Sequence, residues 1–308
     1  MIAPIPPTKP YAMVPVQLFP AKQTTEKTFL DYLKLDKPIA FFDLETTGLE
    51  GNDTRIVEIS IVKVYPDKRI EMFSEILNPE TPIPTFITDV HGIKDSDVVN
   101  APRFKDIAQS LNDFIGDAHL GGYNIITFDV PLLTLEFKKA GIDFSLENRS
   151  IIDVMRIYHK HVSPKEGGKR HLTDAYKYYC GEDLLGAHRA TNDIIGTVEM
   201  LGKQIERHSD VPHEIYALSQ YCGEKLPEYV DQNGEMIWKE NDRGEKEIIL
   251  NYVGPKHRGK PLKDIITSNP DFVKWVLEPK EFDFSEEVKE IFRNAQHGIY
   301  PAPPVFLR

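Results

Sequence analysis

Apolar positions in the first two thirds of the chain fall in short runs divided by polar turns. Ile39-Ala40-Phe41-Phe42 is apolar at every position, the pattern of a strand covered on both faces, and predicts a central strand over 38–44. Ile56-Val57 and Ile59-Ser60-Ile61-Val62 predict a second strand over 55–65, with Glu58 interrupting a β-branched run. A third, over 69–77, follows the Pro66-Asp67-Lys68 turn, and so short a connection favours antiparallel pairing. Helical spacing predicts helices over 104–115, 130–140, 172–179 and 190–207, with Pro131 in a first turn and Gly141 past a last one. Strands are expected over 118–123 and 151–154, and short helices over 25–35 and 213–221. Strands alternating with helices in this way predict an α/β fold, a mixed sheet flanked by helices.

The two ends of the chain read differently. Prolines at 4, 6, 7, 10, 15 and 20 argue against helix or central strand and predict an extended tail over 1–24. Beyond 208 the pattern changes to a hairpin over 235–252 around Asp242-Arg243-Gly244, a basic glycine loop from Gly254 to Leu262, and helices over 265–267, 271–277 and 285–295. Trp275, at helical spacing from Phe272, is expected in the core. The predicted organisation is therefore a Pro-rich tail (1–24), a main domain (25–208), a linker with a helix (209–234) and a small α+β module (235–308) suited to nucleic-acid contact.

Composition excludes some functions. The 308 residues carry a net charge of −11, which does not suit a protein that coats duplex DNA by bulk attraction. No apolar run approaches the roughly 20 residues of a membrane helix. The start of the chain has neither the basic residues nor the apolar stretch of a signal peptide. Cys180 and Cys222 are the only cysteines, too few for a disulfide framework and not spaced as a zinc site. A cytoplasmic protein is expected.

The candidate chemistry begins where the first strand ends. In Phe42-Asp43-Leu44-Glu45-Thr46-Thr47-Gly48, Asp43 and Glu45 are two apart and project from one face of a strand. Two like charges held that close are costly without a cation, and hard divalent ions take oxygen ligands of this kind. Asn124-Ile125-Ile126-Thr127-Phe128-Asp129 supplies a third acid. His188-Arg189-Ala190-Thr191-Asn192-Asp193 supplies an imidazole and a fourth. An imidazole titrates near ~6.5 in water and can accept a proton at neutral pH.

These three segments, in this order, resemble the DEDDh 3′–5′ exonucleases, a family with a ribonuclease H-like fold that includes proofreading exonucleases and ribonuclease T. The resemblance covers residues 37–205. It implies that Asp43, Glu45, Asp129 and Asp193 hold two Mg²⁺ (or Mn²⁺) ions, with Asp43 shared between them, and that His188 is the general base. It implies a substrate surface of Thr46, Thr47, Gly48 and Leu49, the last wedging against the terminal base, together with His91, Asn124 and Phe128. Gly48 is expected to permit a tight turn there, and Asp153 to act as a structural hydrogen-bonder. Residues 253–277 resemble the C-terminal module of exodeoxyribonuclease X-like proteins, departing from it at Gly254-Pro255. The expected activity is release of nucleoside 5′-monophosphates from single-stranded DNA, with a role such as DNA repair and a replication or repair protein as possible partner. The alternatives are an RNA-trimming enzyme of the same fold and a polymerase-associated proofreading or accessory subunit. Arg156, Lys160, Lys165, Lys169, Arg170 and Arg189 are candidate phosphate contacts.

Overall fold

The computed structural model describes residues 29–48, 54–162, 171–223, 229–232, 234–251, 253, 255–278 and 284–302. The tail over 1–24, Leu49 and the basic loop with Lys165, Lys169 and Arg170 lie outside the described residues.

Five strands form a mixed sheet in the order β3-β2-β1-β4-β5. They are β1 (Ile39–Thr46), β2 (Ile56–Val64), β3 (Ile70–Ile76), β4 (His119–Gly122) and β5 (Ile151–Asp153). β1 pairs antiparallel with β2 and parallel with β4, so it is the centre of the sheet. The short turn between β2 and β3 gives the antiparallel pairing expected of it.

The two faces of β1 build two cores. Ile39 and Phe41, with Val62 and Val64 of β2, pack against Ile194, Val198 and Leu201 of the long helix α8 (Ala190–Arg207). Helices α6 (Val154–His161) and α7 (Leu172–Cys180) complete that side. Ala40, Phe42 and Leu44 face the other way. They meet Phe104 and Leu111 of α4 (Phe104–Ile115) and Leu133 and Phe137 of α5 (Asp129–Lys139). The period-two alternation of a strand therefore puts Asp43 and Glu45 in the row of Ile39 and Phe41, on the α8 side.

Some elements depart from the sequence pattern. Val154, expected to end a strand, begins α6, because the Asp153 carboxylate accepts the Met155 N–H at 3.1 Å and caps the helix. A short helix α2 (Thr85–His91), closed by Gly92 with φ +78°, and a single turn α3 (Asp95–Val98) occupy a stretch with no predicted structure. Their core is Ile83, Ile87, Ile93 and Val98 against Val57. α1 (Phe29–Tyr32) is described only in part of its expected range.

Residues after 229 bury a cluster of their own, including Met236, Leu250, Leu262, Val273, Val276 and Phe292. It comprises the β6 (Met236–Glu240) and β7 (Lys246–Leu250) hairpin and helices α10 (Leu262–Ser268), α11 (Pro270–Leu277) and α12 (Glu286–Gln296). Trp275 is not in the core: Val273 and Val276 form the inward stripe of α11, and Trp275 is 44% exposed. Arg156 ties this part to the rest. It is 1% exposed and donates from Nη1 to the Cys222 carbonyl at 3.5 Å and from Nη2 to the Gln232 carbonyl at 3.3 Å. Cys222 belongs to α9 (Ile215–Gly223).

Gly122, the last residue of β4, is where the chain turns toward Asp129. A Cβ there would lie 2.2 Å from Ile125 Cγ2 and 2.8 Å from the Phe42 carbonyl oxygen. Gly122→Ala should destabilise the fold by about 1–3 kcal/mol through overpacking. Urea denaturation checks this, and an unchanged midpoint contradicts the close approach.

Candidate active site

Asp43 and Glu45 stand at the end of the central strand, opposite Ser60 and Glu58 of β2. The register shifts between Glu45 and Thr46, an irregularity of the kind that re-aims side chains beside a site. From the α8 side, Asp193 arrives in the first helical turn. The carboxylate oxygens of Asp43, Glu45 and Asp193 lie within 4.8 Å of one another. Asp129, the first residue of α5, is 4% exposed. It falls outside that threesome but acts on Asp43 as the strongest of the neighbouring charges.

Electrostatics follow from the crowding. Burial, then the charges of Asp129, Asp193 and Glu45, hold Asp43 well above the usual carboxylate range. Burial raises Glu45 to about 8, and Asp193 and Glu58 add to it. Asp129 is likewise raised by burial to about 8, against the pull of its own backbone N–H. Burial raises Asp193 to about 6. Its Oδ2 accepts the His188 N–H at 3.1 Å, while its buried Oδ1 has no hydrogen-bond partner. Clustered, buried carboxylates with an orphaned anionic oxygen are a donor set lacking a positive partner, and they fit hard divalent ions.

His188 is exposed and takes φ +67°, a left-handed conformation that costs a non-glycine residue roughly 1–2 kcal/mol. Two clamps secure its loop. Arg189 grips the buried Glu58 from Nη2 at 3.1 Å and Nε at 3.4 Å, and the Thr191 and Ser60 hydroxyls meet at 3.0 Å. The same guanidinium relieves the like-charge pair formed by Glu45 and Glu58 across the strands. Glu58 was not among the residues singled out from the sequence as part of the site. Its signal was a lone acid inside a β-branched run.

The expected substrate residues sit around this centre. Thr46 and Thr47 are buried: Thr46 Oγ1 donates to the Gly48 carbonyl at 2.5 Å, and Thr47 Oγ1 accepts the Arg55 N–H at 3.0 Å. Among the described residues a Cβ on Gly48 would meet Thr54 Oγ1 at 3.5 Å, an ordinary contact. His91 is buried at the end of α2, its Nδ1 accepting the Ile93 N–H at 3.0 Å. Burial lowers its pKa, opposed by the Thr46 backbone. Asn124 takes φ +63°. Asp153, fully buried, accepts the N–H groups of Asn124 at 2.9 Å and Ile126 at 3.2 Å, so it holds the turn that delivers Asp129. Phe128 packs half-buried on the α4–α5 core.

Three candidate phosphate contacts have other partners. Arg189 is engaged by Glu58, Arg156 is buried in the tie to Cys222 and Gln232, and Lys160 donates to the Tyr221 carbonyl at 2.6 Å. Each has a local acceptor supplied by the fold, which residue type and sequence position do not reveal.

Comparisons with known proteins bear on the family and the fold. A family model described as "Exonuclease" matches residues 40–201. The chain is 30% identical over 177 residues to a DNA polymerase III PolC-type from Caldanaerobacter subterraneus subsp. tengcongensis, a match spanning 58% of this chain and 12% of that protein. A Bacillus cereus PolC-type polymerase is 28% identical over 174 residues, 56% of this chain and 12% of its own length. A solved structure of exonuclease I superposes with a TM-score of 0.52 at 14% identity, covering 80% of this chain and 61% of that one. The likeness shows the ribonuclease H-like exonuclease fold for the five-stranded sheet and its helices. Among the described residues, no helix is long and apolar enough to cross a membrane.

The raised carboxyls set a pH dependence. Glu45 and Asp129, raised to about 8, and Asp193, raised to about 6, hold protons in the metal-free fold that the unfolded chain releases near pH ~4. Metal-free stability should therefore fall as pH rises from ~4 to ~8, and Asp43→Asn should raise Tm in chelator at the upper end of that window. Thermal melts against pH decide it; a wild-type Tm that rises with pH contradicts it. Glu58→Gln should loosen Arg189 and lower turnover about 10-fold or more with KM little changed. Wild-type kcat in steady-state kinetics contradicts that placement.

Proposed function

The chain belongs to the exonuclease family whose model matches residues 40–201, and we propose that it acts as a DEDDh-type enzyme, hydrolysing the terminal phosphodiester of single-stranded DNA from the 3′ end and releasing nucleoside 5′-monophosphates. The observation that carries this reading is the set of Asp43, Glu45 and Asp193 oxygens within 4.8 Å of one another at the end of a buried strand. Similarity to part of PolC-type DNA polymerases supports DNA as the polymer. The chain matches only 12% of those proteins' length.

Asp43, Glu45, Asp129 and Asp193 would hold two Mg²⁺ or Mn²⁺ ions. When bound, such a pair would supply positive charge to polarise the phosphate and offset charge on the attacking and departing oxygens. The chain's residues do the rest. The exposed His188 imidazole takes the proton from the attacking water on a ring nitrogen. Asp193, by accepting the His188 N–H, fixes that residue's backbone beside the acids. Thr46, Thr47 and Gly48 border the 3′ nucleotide, with Leu49 following as the wedge. His91, held neutral by burial, and Asn124 with Phe128 complete the border.

Degradation of matched 5′-labelled DNA and RNA oligomers with Mg²⁺, Mn²⁺ or EDTA tests the reading. A metal-dependent ladder shortening from the 3′ end is expected on DNA and absent in Asp43→Asn. His188→Ala should retain the ladder at a rate lower by about 10²–10⁴. Cleavage of RNA alone selects the RNA-trimming alternative, and cleavage in EDTA removes the metal assignment.

A further inference from the structure

Lys256, Arg258, Lys260 and Lys263 fall within the run Lys256-His257-Arg258-Gly259-Lys260-Pro261-Leu262-Lys263, which holds no acid, in a chain of net charge −11. The loop is braced rather than loose. The Gly259 N–H donates to the Leu250 carbonyl at 2.7 Å, and the Lys260 carbonyl accepts the Leu250 N–H at 3.0 Å, which fixes it to the end of β7. Lys256 and Lys260 are exposed, and their ammonium groups enter no ion pair among the described residues. Burial lowers the pKa of His257, and the charges of Lys260 and Lys256 lower it further. Lys274 is different: it pairs with Glu278 at 3.7 Å.

Beside the loop runs a row of rings. His257 and Phe272 are 4.1 Å apart between centroids, Phe272 and Trp275 are 5.5 Å apart with planes within 23°, and Trp275 meets Phe284 edge-on at 5.4 Å. Phe272 and Phe284 both contact the indole, which remains 44% exposed. A buttressed, partly exposed indole, linked through Phe272 and His257 to the loop that carries Lys256 and Lys260, combines the two components of a sequence-tolerant single-strand site, a stacking surface and a phosphate-attracting edge.

We propose that Trp275, Lys256 and Lys260 form a single-stranded-DNA platform, the indole stacking on a base of the strand whose 3′ end is being hydrolysed and the lysines contacting flanking phosphates. The proposal rests on the exonuclease reading for the identity of the strand. A duplex does not fit the surface, because its bases are already stacked on each other.

The chain holds two tryptophans, Trp238 and Trp275, so full-length Trp238→Phe leaves Trp275 as the sole reporter. Adding oligo(dT) in EDTA should quench its fluorescence. In binding titrations, Trp275→Ala should weaken a long oligo(dT) about tenfold. Lys256→Gln with Lys260→Gln should make the slope of log K against log salt shallower by about 1.4, ~0.7 for each phosphate no longer neutralised. Both variants should cleave a dinucleotide as the parent does. Unquenched fluorescence at saturating oligomer, or variants that bind with parental affinity and slope, overturns the platform. If the parent degrades DNA while these variants bind unchanged, the platform fails and the exonuclease reading stands. If the parent degrades no DNA, that reading has failed and takes the platform's substrate with it.

Discussion

Buried negative charge, gathered at one end of one strand, is the constraint on which the rest of this structure depends. Asp43 and Glu45 share a face of β1 with Ile39 and Phe41, and Asp193 reaches them from the first turn of α8. Burial alone would neutralise an isolated carboxyl. Here each group also feels the others, so the metal-free site settles with protons on groups that are ordinarily ionised at neutral pH. A bound divalent cation would offset that crowded negative charge in their place. The sheet is built to withstand the strain: β1 is held on both edges, by β2 and β4, and both of its faces are packed.

A second set of contacts fixes where each acid can be. Glu58 and Arg189 fasten the His188 loop to the strand opposite Glu45. Asp153 ends β5, caps α6 and gathers the N–H groups of the turn that delivers Asp129. Arg156, one helical turn further, offsets part of the burial cost of Asp153 and reaches the Cys222 and Gln232 carbonyls. One short segment thus connects the turn that delivers Asp129 to the residues leading into the C-terminal cluster.

The strands and the long helices were legible in the sequence because their signals are local. A fully apolar run marked β1, a β-branched run interrupted by Glu58 marked β2, and 3.6-residue spacing marked α4 over 104–115 and α8 over 190–207, which the structure reproduces. The family, too, was legible, from the order and spacing of the acidic segments. What escaped depended on tertiary partners. Asp153 as a cap was readable in hindsight from an acid preceding Val154-Met155-Arg156-Ile157, yet the β-branched residues before it suggested continued strand. The pairing of Arg189 with Glu58 joins positions 131 residues apart, and no local pattern carries it. Trp275 was assigned inward on spacing from Phe272, whereas Val273 and Val276 set the buried stripe. Gly122 is required only because Ile125 and Phe42 converge on it.

Isothermal titration of Mn²⁺ into the metal-free protein at neutral pH, repeated in buffers of different ionisation enthalpy, tests the central claim most directly. Ion binding should displace protons from the site, because Glu45 and Asp129 are raised to about 8. The account expects two ions per chain with net proton release to the buffer, and loss of both signals in Asp43→Asn. Binding with no proton release, or unaltered binding in Asp43→Asn, would contradict it.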